Sequence, residues 1–136
     1  MRLGRVWWND PKPEDRRALV VDDDPVTRQF VADTLSRHGF RVFACGDAES
    51  GIGSFARNGP VDVFVVDLLL PGLRGTQMIH ALAQEHADLR VLYVSSRSTS
   101  PPLGPGRRFL AKPFTTGELM AEVRALLLQE TGQPRR

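Results

Sequence analysis

Cysteine is almost missing from this chain. Cys45 is the one thiol in 136 residues, which excludes an internal disulfide framework and a cysteine zinc cluster. A reducing, cytoplasmic setting is therefore expected. Long apolar runs are missing as well. Near-apolar stretches reach about six residues, where a membrane span needs about 20. The first residues, Met1 to Trp8, carry Arg2 and Arg5 but no apolar signal-peptide core. Lysine is scarce, with Lys112 alone among ten arginines in residues 18–130. No basic surplus lies on the presumptive folded body either. The formal charge is +2, yet residues 1–17 and 131–136 each hold a surplus of +2, which leaves residues 18–130 at −2. A nucleic-acid-binding fold concentrates positive charge on its body, so direct nucleic-acid binding is not expected. One core of ordinary size fits this length, so a separate DNA-binding output module is not expected.

What is present is a repeating alternation. Residues 1–17, broken by Pro11 and Pro13, read as a leader or linker, with Trp7 and Trp8 packing back onto the domain or meeting a partner. Residues 18–130 read as one domain, and 131–136 as a disordered tail. Ala18 to Val21 is a short apolar run and predicts a buried strand. Pro25 to His38 predicts a helix, opened by proline and ended by Gly39, with Val26, Phe30, Val31 and Leu35 inward. Arg41 to Cys45 predicts a second strand. Asp47 should cap a helix to Arg57, with Ala48, Ile52, Phe55 and Ala56 inward. Val61 to Val66 predicts a third strand, Thr76 to Glu85 a helix with Met78, Ile79 and Leu82 inward, and Val91 to Val94 a fourth strand. Phe109 to Ala111 predicts a short fifth. Thr115 to Glu118 matches a capping box before a last helix carrying Leu119, Val123, Leu126 and Leu127.

Strands that are near-continuously apolar and alternate with helices belong to a parallel sheet covered on both faces. One helix is missing from the alternation. Between the fourth and fifth strands, residues 95–108 hold three prolines, two glycines and one sizeable apolar side chain, Leu103. Proline in a helix interior costs about 3 kcal/mol, so a loop is predicted there.

The polar residues follow the strands. Asp22, Asp23 and Asp24 end the first, Asp67 the third, Ser95 and Ser96 the fourth, and Lys112 with Pro113 the fifth. Open α/β sheets bind ligands at these ends. Two carboxylates about 4 Å apart repel by about 4 kcal/mol at an effective dielectric near 20. Asp24 is accounted for as a helix cap. Asp22, Asp23 and Asp67 together call for a hard divalent cation, and Mg²⁺ suits a site with few protein oxygens. The second strand ends in Cys45 and Gly46, brings no charge, and can lie at the edge. Cys45 reads as a small buried apolar group, and His38, His80 and His86 as surface residues without a catalytic role.

These motifs resemble the receiver domains of two-component response regulators. The resemblance rests on Leu19 to Pro25, Asp62 to Gly75, Val91 to Ser96 and Lys112-Pro113-Phe114, in order, over about residues 18–129. It implies a flavodoxin-like sheet of order 2-1-3-4-5, with the fourth helix degenerate or replaced by a loop. It implies Asp67 as the phosphoryl acceptor, and Mg²⁺ held by Asp23 and Asp67, by Asp22 through water and by the Leu69 carbonyl. Lys112 would grip a phosphoryl oxygen across a cis Lys112-Pro113 peptide. Ser95 would bond that oxygen after transfer, and Phe109 would follow it as the switching aromatic. The donor would be a sensor histidine kinase or phosphotransfer protein, and the output an unidentified protein. The chain would be a monomer or weak homodimer away from membranes, acting by Mg²⁺-dependent self-phosphorylation and dephosphorylation rather than as an enzyme. The segment Phe109 to Phe114 is similar to receivers attached to hybrid histidine kinases.

The sequence departs from that pattern in places. The stretch between the fourth and fifth strands is short, which affects the usual output face. Ser96 stands where alanine is commoner. Leu69 and Arg97 hold positions that tune acyl-phosphate hydrolysis in the family; Leu69 cannot align a water, so a long-lived phospho-state is expected. Two other functions are compatible with parts of the pattern. One is a pseudo-receiver that binds partners without taking phosphate. The other is a haloacid-dehalogenase-type phosphatase, with Asp22 as nucleophile and Asp24 as general acid, which would also need a late acidic pair, and none follows Lys112 at a strand end.

Overall fold

The computed structural model describes residues 16–129. The chain runs β1 (Arg17–Val21), α1 (Pro25–Arg37), β2 (Arg41–Cys45), α2 (Ala48–Asn58), β3 (Val63–Asp67), α3 (Gly75–Ala83), β4 (Val91–Ser95), β5 (Arg107–Ala111) and α4 (Thr116–Leu128). The strands form one sheet of order β2-β1-β3-β4-β5, and every neighbouring pair is parallel. The doubly wound fold and the edge position of β2 agree with the reading from sequence. The leader, with Trp7 and Trp8, and the tail 131–136 lie outside the described residues, except that Arg17 already belongs to β1.

Alternate residues of each strand enter separate cores, as a period of two requires. Ala18, Val20, Val63, Val65, Leu92 and Val94 face one layer with Val31 and Leu35 of α1 and Leu119, Val123 and Leu126 of α4. Leu19, Val21, Phe64, Val66, Val91 and Tyr93 face the other with Phe55 of α2 and Met78, Ile79 and Leu82 of α3. β1, β3 and β4 are buried along nearly their whole length, which is why they read as unbroken apolar runs.

The helix caps decide where the strand ends stop and the site begins. Asp24 accepts from the Val26 and Thr27 amides, with Pro25 at the first helical position. Asp47 accepts from the Ser50 amide. Thr115 and Glu118 complete a reciprocal capping box. Residues 96–106 hold no helix, as the prolines demanded. Only a turn at Pro105-Gly106 interrupts them, with Gly106 at φ 76°.

Several inward assignments need correction. Val26 is 76% exposed and Phe30 is also exposed. The buried stripe of α1 is Val31, Thr34 and Leu35, and at ~100° per residue Val26 lies about 140° from Val31. The Phe30 ring meets Phe114 instead, with centroids 6.0 Å apart. Ala56 is exposed, with Gly51 and Ser54 taking inward places on α2. Ile52 and Leu127 only border the cores, and Cys45 is half-buried rather than buried. β3 starts two residues later than expected, at Val63. β5 starts two earlier, at Arg107, and α3 ends at Ala83.

Candidate functional site

The C-terminal ends of the strands bring Asp22, Asp23 and Asp67 together, their ligand-capable oxygens all within 4.8 Å of one another. Asp22 is 1% exposed and Asp67 5%, while Asp23 is exposed. Asp67 is the last residue of β3, and the Leu69 amide donates to its Oδ1 at 2.8 Å. Asp22 follows β1. Its amide donates to the Cys45 carbonyl, and its Oδ1 accepts from the Asp24 amide at 3.0 Å. Asp24 turns away to cap α1, accepting also from the Thr27 hydroxyl at 2.6 Å, and its carboxyl is held below the usual range, chiefly by that hydroxyl.

Lys112 reaches in from the far end of β5. Its Nζ donates to Asp67 Oδ2 at 3.1 Å and lies 3.0 Å from Asp22 Oδ2. The Lys112-Pro113 peptide is cis, as the resemblance implied. Burial disfavours the ammonium, but the bonds to Asp22 and Asp67 outweigh that and leave the Lys112 pKa raised. Burial raises the Asp22 pKa, and the Asp24 amide and Lys112 offset this only in part. Asp22 Oδ2 is buried, and the lysine contact gives it no aligned hydrogen bond. A buried carboxylate oxygen met by one ammonium, among three clustered carboxylates, fits a hard cation with oxygen ligands.

Ser95 ends β4 and is fully buried. Its Oγ accepts from the Arg97 amide at 3.0 Å, and its carbonyl accepts from the Lys112 amide at 2.7 Å, tying the two strand ends together. Leu69 is exposed at the rim, and Phe109 is half-buried against the second core layer, in register with Tyr93. All the expected site residues except Phe109 thus lie at or beside one sheet edge.

Arg28 and Gly75 also shape this edge. Arg28 of α1 donates from Nη1 to the Asp22 carbonyl at 2.8 Å. A Cβ on Gly46 would stand 3.1 Å from the same nitrogen, so the glycine keeps room for the guanidinium. Gly75, the last residue of the Asp62 to Gly75 motif, starts α3 so close to the acceptor strand that a Cβ there would lie 2.3 Å from the Asp67 carbonyl oxygen. Both roles depend on contacts that leave no local pattern; the place of Gly75 at the end of the Asp62 to Gly75 motif was the available signal.

The dehalogenase-type reading places a general acid at Asp24, whose carboxylate is instead engaged at the helix cap.

Comparison with known proteins converges on one family. A family model described as the response regulator receiver domain matches residues 18–124. The probable transcriptional regulatory protein TcrX of Mycobacterium tuberculosis is 33% identical over 114 residues, covering 80% of this chain and 48% of that protein. The transcriptional activator protein PfeR of Pseudomonas aeruginosa is 34% identical over 115 residues, covering 82% and 37%. The chain thus spans about half the length of such relatives, or less. Among solved structures, the receiver domain from hybrid histidine kinase CckA superposes with a TM-score of 0.71 at 26% identity, covering 82% of this chain and 98% of that one. TrrA of Thermotoga maritima, solved in complex with Mg²⁺-BeF, gives 0.70 at 22% identity, covering 83% and 100%, a likeness of fold alone.

Proposed function

The chain belongs to the response regulator receiver domains, and from that membership we propose that it accepts a phosphoryl group on Asp67 and relays the event to a partner surface. The observation that carries the reading is the trio of carboxylates within 4.8 Å, with Lys112 spanning Asp22 and Asp67. Asp22, Asp23, Asp67 and the Leu69 carbonyl would hold Mg²⁺. Bound there, the ion supplies charge neutralisation for a transferring phosphoryl group.

The chain's own residues do the rest. An Asp67 oxygen attacks phosphorus, the bond from phosphorus to the donor nitrogen breaks, and the imidazole of a phosphohistidine kinase or phosphotransfer protein leaves with the electron pair. Lys112 exchanges its contact with Asp67 for one with the new phosphoryl oxygens. Ser95 donates to the same group by turning its hydroxyl. Phosphorylation brings about −1.5 to −2 charges to the edge, and Phe109 moves with the β4–β5 end. A shift from 1:99 to 99:1 requires the phosphoryl group to favour the active form by about 5.5 kcal/mol. The chain modifies itself and turns over no separate substrate. One half-buried thiol suits a reducing, cytoplasmic compartment. No helix of the described residues is long and apolar enough to cross a membrane.

Incubation with acetyl phosphate and Mg²⁺, read by intact mass, should add one phosphoryl group to the native protein and none to Asp67→Asn. A folded native protein that stays unlabelled would instead support the pseudo-receiver reading.

A further inference from the structure

The loop that replaces a helix between β4 and β5 makes one wall of a cavity of about 280 Å³. Arg97, Thr99, Ser100 and Pro101 come from this loop, Leu68 and Leu69 follow the acceptor strand, and Arg74 and Thr76 open α3. Two arginines, both exposed, therefore line one space, and no acidic residue lines it. Among the described residues neither guanidinium has an ion-pair partner. Thr76 and Thr99 bring hydroxyls, while the Ser100 hydroxyl already donates to the Pro101 carbonyl at 2.7 Å, and the two leucines add an apolar wall. Such a lining is built for a short chain ending in an oxyanion, since guanidinium forks match carboxylate and phosphate oxygens.

The cavity also adjoins the acceptor. The Leu69 amide bonds Asp67 Oδ1, and the Arg97 amide bonds Ser95 Oγ. The space is several times the roughly 30 Å³ that a water occupies in the liquid, which gives room for the far end of a small-molecule donor.

We propose that this cavity is a subsite for the non-transferred part of a small acyl phosphate that carries a second anionic group. The inference rests on Asp67 as phosphoryl acceptor. In the step it serves, an Asp67 oxygen attacks phosphorus and the bond from phosphorus to the acyl oxygen breaks. The electron pair leaves on the carboxylate product. No proton is transferred, because nucleophile and leaving group are both carboxylates. Arg74 and Arg97 hold the far anion, so the donor is oriented before transfer begins.

The test compares adipoyl monophosphate with hexanoyl phosphate, which share a six-carbon chain and differ in a terminal carboxylate. Acetyl phosphate serves as the common reference, and labelling rates are read by intact mass with Mg²⁺. The adipoyl donor should react about tenfold faster than the hexanoyl donor, the least expected of a charge-assisted hydrogen bond. That ratio should fall towards one in Arg74→Gln and in Arg97→Gln. Each ratio is taken within one protein, so a change in folding or metal affinity cancels. Equal rates for the two donors in the native protein, with acetyl phosphate still labelling Asp67, would overturn the subsite and leave the acceptor reading intact. Labelling by none of the three would overturn both.

Discussion

Single atoms set the limits at the acceptor. Gly75 has no side chain, and the Asp67 carbonyl fills the space where a Cβ would stand, with Val66 Cγ1 only 2.8 Å from the same point. Both neighbours belong to a buried central strand, so neither can give way cheaply. Gly75→Ala should destabilise the protein by about 2–3 kcal/mol, in the range of overpacked cores, and should slow Asp67 labelling by moving the β3 end. Gly104→Ala is the matched control, since nothing lies within 4 Å of its Cβ position. Urea midpoints for the two variants decide the matter, and equal midpoints would refute the close approach. The site residues themselves were legible because each ends a strand or follows one directly: Asp67 and Ser95 the first, Asp22 and Lys112 the second. The roles of Gly75 and Arg28 were not, because a close approach or a bond to a distant carbonyl leaves no local pattern.

At the scale of elements, the sequence shows most clearly those features that exclude alternatives. Pro101, Pro102 and Pro105 forbid a helix between β4 and β5, and none forms. The apolar strands are unmistakable because both faces are covered. Helix faces were less legible on α1, where Val26 and Phe30 are as apolar as Val31 and Leu35. Only the docking of the helix decides which of them turn outward. α3 ends early because Gln84 and Glu85 bond back three residues, to Ala81 and Leu82, which tightens the last turn. Caps were read correctly, and Asp47 carries a pH dependence. The Ser50 amide, 2.7 Å from its carboxylate, holds the Asp47 pKa below the usual range. A depressed folded pKa means that the charge contributes stability above the ordinary carboxylate pKa of about 3.9 and loses it as pH falls through the folded value. Asn caps nearly as well as Asp but carries no charge. The stability of native protein over Asp47→Asn should therefore be present at pH 7 and shrink as the pH falls below the ordinary carboxylate range. Urea unfolding of both proteins across that interval measures it; a difference that persists in acid would place the effect outside ionisation.

Over the whole molecule, charge is sorted along the strand direction. Parallel strands alternate with helices, so helix N-termini gather with the acidic edge and helix C-termini gather at the opposite one. Arginines meet the latter. Arg17 donates to the Asn58 carbonyl at the end of α2, and Arg90 to the Gln129 carbonyl at 3.2 and 3.3 Å, after α4. Cations there complement the negative helix ends, so these arginines are accounted for by the fold without an anionic partner. At the acidic edge, among the described residues, only Lys112 forms ion pairs with the clustered carboxylates. The three carboxylates oppose folding when no cation is bound, and a bound cation stabilises the folded form by mass action. Asp23 is the exposed member, so its repulsion is screened, on the order of 1 kcal/mol at 4 Å in water. Asp23→Asn should then raise the melting temperature in EDTA, because one like charge is gone while the buried Asp22 and Asp67 keep their lysine. The same variant should lose most of the rise that millimolar Mg²⁺ gives the native protein. The two effects have opposite signs, which separates a site built for a cation from a chance gathering of acids. A variant less stable in EDTA, or one stabilised by Mg²⁺ as fully as the native chain, would show that Asp23 neither strains the edge nor helps to hold the ion.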